Sequence, residues 1–185
     1  MGDIGKTFTG LSGKTKEDFG HGEAKFITYM NVFTNPISSL DKTESVEIDH
    51  NQNEVQYGDI FFTTSSETPD EVGMASVWLE NKANIYLNSF CFGFRPFEKN
   101  NPYYMAYMLR ANEFRNKMTL LAQGISRYNI SKNSAMNIEI CLPKYSEQEH
   151  IGKIFYEIDN LITLHQRKLY KLQSIKKSLL DKMFV

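Results

Sequence analysis

Three stretches of the chain come close to a reactive site without completing one. Thr9-Gly-Leu-Ser-Gly-Lys-Thr15 ends like a phosphate-binding loop. Such a loop needs a glycine five residues before its Gly-Lys-Thr glycine, so that backbone amides can wrap the phosphates. Phe8 occupies that position, and no clear apolar strand leads in. The segment reads instead as a flexible Gly/Ser/Lys loop able to approach a nucleic-acid backbone. Pro69-Asp70 followed by Glu80-Asn-Lys82 has the loose spacing of two carboxylates and a lysine on adjacent strands, a set that binds Mg²⁺ and activates water. The pattern is unspecific, and residues 80–82 fall where a polar hairpin turn is expected.

Asn101-Pro-Tyr-Tyr104 is similar to the Asn-Pro-Pro-Tyr that holds a target amino group in DNA amino-methyltransferases. The second proline is absent and no Gly-rich cofactor loop follows a strand, so a helix N-terminus is the expectation. The most informative segment is Leu121 to Lys132, a Gly-centred loop presenting Gln123, Ser126, Arg127, Tyr128, Asn129 and Lys132. Arg suits guanine and Asn or Gln suits adenine in the major groove, while Ser and Lys are typical phosphate contacts. An ordinary polar turn has the same composition. A second polar loop around Thr64, Ser65 and Ser66 follows an apolar strand and can face the same groove, although its hydroxyls can equally cap the loop itself. Lys14 completes the candidate nucleic-acid contacts.

The elements that must position these loops are short. Strands are expected at Phe26–Asn31, Asp59–Thr64, Ala75–Trp78, Ile85–Phe94 and Ile138–Leu142, each a β-branched or aromatic run between turn formers. A helix after Asn101-Pro102 should carry Tyr104, Met105, Tyr107, Met108, Leu109 and Phe114 inward, with Arg110, Arg115 and Lys117 outward. Cys91 and Cys141 read as buried, reduced thiols of a cytosolic protein. No run approaches the roughly 18 apolar residues of a membrane span, and residues 1–13 lack a signal peptide's apolar core. Charge is polarised: residues 1–80 hold five Lys/Arg against fourteen Asp/Glu, and residues 81–145 hold nine against three. Local field therefore matters more than the net charge of −1.

A composition break at Leu142-Pro143 separates this α+β part, residues 1–142, from a continuous helical pattern over 143–185. Ser146-Glu-Gln-Glu149 has the form of a capping box. Apolar or semi-apolar residues then recur at Ile151, Ile154, Ile158, Ile162, His165, Leu169, Leu172, Ile175 and Leu179. Close to forty residues make a rod of roughly 55 Å, longer than a domain of this size is wide. Part of its seam must therefore be covered by another helix, as in a coiled coil. His165 reads as a packed seam residue because no second ligand accompanies it.

Pro143 through Phe184, with Glu147-Gln148, Ile151-Gly152, Ile158-Asp159-Asn160-Leu161-Ile162, Leu164 to Leu169 and Leu179-Leu180, resembles the conserved helical region of type I restriction–modification specificity (S) subunits. Gly2 to Gly5, Phe26 to Val32, Gly58 to Thr63 and the Gly124–Lys132 loop sit as in that family's target-recognition domain. The resemblance implies a non-catalytic subunit that reads double-stranded DNA and positions methyltransferase (M) and nuclease (R) subunits on a split target. S-adenosylmethionine, ATP and Mg²⁺ are then expected on those partners, and none on this chain. Full S subunits resemble two such units in tandem, so a half subunit is expected, able to form a homodimer through antiparallel helices. The competing readings are a stand-alone Mg-dependent nuclease or DNA methyltransferase, and an assembly protein that does not bind DNA.

Overall fold

The computed structural model describes residues 1–184. Its central strand, β5 (Ile60–Thr63), is the run Ile-Phe-Phe-Thr, and all four residues are buried. Successive strand side chains point to opposite faces, so this sheet must be covered on both sides. Ile60 and Phe62 face a core with Phe92, Phe94, Met105, Leu109, Phe114 and Met118. Phe61 faces a second core with Ile27, Val32, Trp78, Ile85 and Leu87. Around β5 the five-stranded sheet runs β1 (Gly5–Thr9), β9 (Cys91–Pro96), β5, β7 (Ala75–Trp78), β3 (Ile37–Ser38). A three-stranded sheet of β4 (Thr43–Val46), β2 (Phe19–Ile27) and β8 (Ile85–Leu87) covers one side. Helices α2 (Pro102–Met108) and α3 (Asn112–Thr119) cover the other. Helix α1 (Tyr29–Thr34) follows β2, α4 (Lys132–Met136) follows the Gly124 loop, and α5 (Tyr145–Met183) closes the chain. The fold is α+β with a long C-terminal helix, as expected.

Several local expectations are corrected. The run Phe26–Asn31 is not one strand: β2 stops at Ile27 because the Thr28 hydroxyl accepts from the Asn31 amide at 3.2 Å and caps α1. Ile85–Phe94 breaks into β8 and β9, which belong to different sheets. Asn88 makes the break, donating to Ile27 O at 2.9 Å and accepting from the Phe90 amide at 2.8 Å. Ile138–Leu142 runs without strand pairing. Residues 9–15 do not form a flexible loop: Leu11 is buried, its amide bonds Leu87 O, and Ser12 N bonds Gln52. Cys91 is buried, its thiol pushed up to about 12 by burial, but Cys141 is exposed. No helix among the described residues is long and apolar enough to cross a membrane.

The arginines after Pro102 also depart from expectation, because the helix breaks between α2 and α3. Arg110 turns inward, its Nε donating to Ala75 O at 2.7 Å and its Nη2 to Val32 O, Phe33 O and Asn35 O at 2.7–3.0 Å. Burial lowers its pKa to about 10. Arg115 likewise donates to the carbonyls of Asp70, Val72 and Gly73. Arg110 ties the end of α1 and the start of β7 to the helical layer, Arg115 ties the turn before β7, and only Lys117 reaches outward, to Glu113 at 3.2 Å.

Helix α5 starts at Tyr145, and the Ser146/Glu149 capping box does not form: its N-cap is Lys144, with no side-chain cap bond. Gln148 acts instead, donating to Pro143 O at 3.0 Å and accepting from the Asn101 amide at 3.0 Å. One turn on, Gly152 is buried so tightly that a Cβ would lie 2.6 Å from the Tyr104 nitrogen and 2.8 Å from Asn101 Oδ1. Tyr103 packs on Tyr156, Tyr107 packs on Phe155, and the Tyr107 hydroxyl donates to Asp159 at 2.8 Å. Burial and the Asp159 carboxylate raise the Tyr107 pKa well above the usual tyrosine range. Beyond Asp159, α5 projects from the domain with every described residue exposed. Gly152→Ala should cost about 1–3 kcal/mol of stability through overpacking against backbone, read as a shifted thermal midpoint.

Candidate nucleic-acid interface

The two polar loops singled out in the sequence meet in space. Strand β6 (Ser65–Ser66) pairs antiparallel with β10 (Tyr128–Asn129), with Ser65 opposite Asn129 and Ser66 opposite Tyr128. Gln123 and Asn129 exchange both backbone hydrogen bonds, at 3.0 and 2.8 Å, and Ile130 N extends the ribbon to Thr64 O at 2.9 Å. The loop so closed needs Gly124, whose φ is +143° and whose Cβ would collide with the Arg127 carbonyl. A closed backbone leaves the tip side chains outside: Gln123, Ile125, Ser126, Arg127 and Asn129 are exposed.

Most of the hydroxyls shape this ribbon. Thr64 donates to Phe90 O at 2.9 Å, and Ser65 and Ser66 are buried. The Tyr29 hydroxyl donates to Ser65 O at 2.7 Å, and Arg127 Nη2 donates to Ser65 Oγ at 3.1 Å. Ser66 and Thr68 both donate to Glu71 Oε2, at 3.2 and 2.9 Å. A buried hydroxyl with its partner in place cannot reach a ligand without breaking that bond. The available groups are therefore Arg127, Gln123, Ser126, Asn129 and half-buried Tyr128 and Lys132.

Two grooves flank the ribbon. One, of about 720 Å³, lies between α1 and the ribbon, with Tyr29, Met30 and Phe33 on one side. Ser126 and Arg127 line it together with Glu67 and Glu71. The other, of about 390 Å³, is lined by Ser12, Thr64, Ser89, Ile130 and Lys132. Tyr29 lines the first groove with those charges: burial foremost and then Cys91 raise its pKa, Glu71 raises it further and Arg127 lowers it. Tyr29, Met30 and Phe33 were missed in the sequence because Phe26–Asn31 reads as one strand, and Glu71 because nothing local to its 3₁₀ turn marks it. Thr28 with Asn31 and Val32 behind it was the available helix-start signal.

The charges sort cleanly. Arg95 pairs with buried Asp59 at 2.7 Å, and Arg110 and Arg115 hold carbonyls. Lys14 is not brought to the ribbon: its ammonium lies 2.9 Å from Asp49 and 4.0 Å from Asp18. The Lys14 hydrogen bond, first among several, holds the Asp49 carboxyl well below the usual range. Among the described residues, neither Arg127 nor Lys132 has a carboxylate within 4.0 Å. The nuclease-like set does not assemble, since Asp70 precedes β7 in a 3₁₀ turn while Glu80 and Lys82 follow it. Asn101 is a helix cap, accepting from the Tyr104 amide at 3.0 Å.

On α5, Ile151 is half-buried, whereas Ile154, Ile158, Ile162, Leu169, Leu172, Ile175 and Leu179 are 44–64 % exposed. His165 lies with Ile158, Ile162 and Leu169 along a shallow apolar groove of about 510 Å³.

Comparison with known proteins bears on the family and the fold. The family described as Type I restriction modification DNA specificity domain matches residues 1–174. A type I restriction enzyme specificity subunit of Methanocaldococcus jannaschii is 28% identical over 130 residues, covering 69% of this chain and 30% of that protein. A chain from a structure on assembly and conformational transition of the type I R-M system superposes with TM-score 0.65 at 17% identity. The match covers 99% of this chain and 44% of that one. The HsdS subunit of Thermoanaerobacter tengcongensis gives TM-score 0.60 at 17% identity, covering 90% and 38%. This chain thus spans less than half the length of each of these relatives.

The Tyr29 bond to Ser65 is the clamp of the ribbon on α1. Tyr29→Phe should cost about 1 kcal/mol, and hydrogen exchange should quicken at β6 and β10 before the core sheet.

Proposed function

The chain belongs to the type I restriction–modification DNA specificity family, and from that premise we propose that it reads one half of a split double-stranded DNA target. The observation that carries this reading is the β6–β10 ribbon, which gathers two sequence-distant polar loops and holds Arg127 and Lys132 with no carboxylate within 4.0 Å among the described residues. Lys132, beside the hydroxyls of the smaller groove, is a phosphate contact, and Arg127 with Gln123, Ser126 and Asn129 faces bases. Lys14 drops out of the contact set, and Thr64, Ser65 and Ser66 act by shaping the ribbon. Residues 1–142 are the recognition domain and residues 143–185 the docking segment that contains α5, Val185 lying outside the described residues. The chain is non-catalytic. Methyl transfer with S-adenosylmethionine, and translocation with ATP and Mg²⁺, belong to M and R partners.

The α5 seam fits a second copy of this chain in antiparallel orientation. Own-domain contacts use Gln148, Gly152, Phe155 and Asp159, and the seam of Ile158, Ile162, His165 and Leu169 lies roughly a quarter of a turn away. Docking the domain therefore leaves the seam free. Charge along the helix is segregated. Residues 145–164 carry Glu147, Glu149, Glu157 and Asp159 against Lys153, whereas 165–184 carry Arg167 and five lysines against Asp181. Antiparallel pairing sets the acidic half against the basic half and opposes the helix dipoles, and parallel pairing sets like on like. The domains then sit at opposite ends, reading inverted half-sites at a spacing set by the helix.

Light scattering should give a dimer that gains two M subunits, and a monomer that ignores M would refute this assembly. With M present, Lys132→Ala should weaken binding to all duplexes alike and flatten the salt dependence by about one unit of slope.

A further inference from the structure

We infer that the groove between α1 and the β6–β10 ribbon reads a G·C base pair, with Arg127 on guanine and Glu71 on cytosine. The inference rests on the DNA-recognition reading and names residues and a base pair within it. Two opposite charges line this one groove without meeting. Arg127 has no carboxylate within 4.0 Å, and Glu71 has no cation within that distance, among the described residues. Each is held by one of two consecutive serines instead: Arg127 by Ser65 Oγ at 3.1 Å, Glu71 by Ser66 Oγ at 3.2 Å. Thr68 adds a second bond to the same Glu71 oxygen, Oε2, and no hydrogen bond engages Oε1. The two serines are themselves buried and fixed, Ser65 through its carbonyl to Tyr29, so the charged groups start from set positions.

A ligand that suits this pair must offer acceptors to the guanidinium and, beside them, a donor to the carboxylate. The major-groove edge of a G·C pair does so, with O6 and N7 of guanine next to the N4 amino group of cytosine. An A·T pair presents no two adjacent acceptors for the guanidinium fork. A phosphate satisfies Arg127 alone and is repelled by Glu71 and by Glu67 on the same groove. The carboxylates therefore argue for a base edge over a backbone contact. Met30, more than half exposed, and Phe33 give the opposite wall an apolar surface that can lie along the base edge.

The test is the methylation motif, read by sequencing modified DNA from cells carrying the full complex with wild-type or altered chain. Arg127→Ala and Glu71→Gln should each relax the motif at one and the same G·C position, by about tenfold or more in preference, with the other positions kept. The amide introduced by Glu71→Gln keeps an acceptor for Ser66 and Thr68, so this variant retains the loop even if loss of Arg127 disturbs the ribbon. A motif unchanged in either variant overturns the inference. So does methylation that falls equally at all sites, which would make Arg127 a phosphate contact. If the wild-type chain directs no motif, the DNA-recognition reading itself fails and takes this inference with it.

Discussion

Everything distal in this molecule depends on the close approach of α5 to α2 at Gly152. Backbone meets backbone there, since the space a Cβ would need is filled by the Tyr104 nitrogen and Asn101 Oδ1. Gln148 bonds across the same contact to the Asn101 amide, and Asp159 receives the Tyr107 hydroxyl two turns later. Three fastenings over a dozen residues fix both the crossing of the helix and its rotation about its own axis. Rotation decides which face looks outward, so this small polar face sets where the apolar seam points relative to the ribbon. A rod anchored only by greasy contacts could roll; hydrogen bonds and a glycine notch are directional.

The proposed recognition surface is built on a similar division of labour. The buried charged groups are structural: Arg110 and Arg115 hold carbonyls, and Asp59 holds Arg95. Burying a guanidinium is costly unless its donors are met, and carbonyls at loop ends and at the C-terminus of α1 meet them. These arginines fasten the loops against the helical layer, on which the ribbon's strands also lean through Ile130. The hydroxyls of Ser65 and Ser66 then hold Arg127 and Glu71 from below, and that of Tyr29 holds the Ser65 carbonyl. Few groups remain for a ligand, and their positions are set beforehand, which reduces the ordering cost of binding.

Features that depend on local pattern are legible in the chain before it folds. The long helix follows from its three- and four-residue apolar period, β5 and β7 from compact apolar runs, and the helix after Asn101 from its Asn-Pro start. The Gly124 loop is legible too, because its residue types are those of a polar turn wherever it lies. Features that depend on partners distant in sequence emerge only on folding. Phe26–Asn31 and Ile85–Phe94 look like unbroken strands until the buried amides of Asn31 and Asn88 find their carbonyls. Arg110 looks like an outward charge until carbonyls from residues 32–35 and 75 reach it. Ser146 looks like a cap, but Gln148 wins because Asn101 stands opposite. The groove joining Arg127 to Glu71 is the clearest instance, since 56 positions separate them and nothing local to either predicts the other. Period and capping are short-range and survive in one dimension. A hydrogen bond between distant segments gains its strength from burial, and burial exists only once the chain is folded.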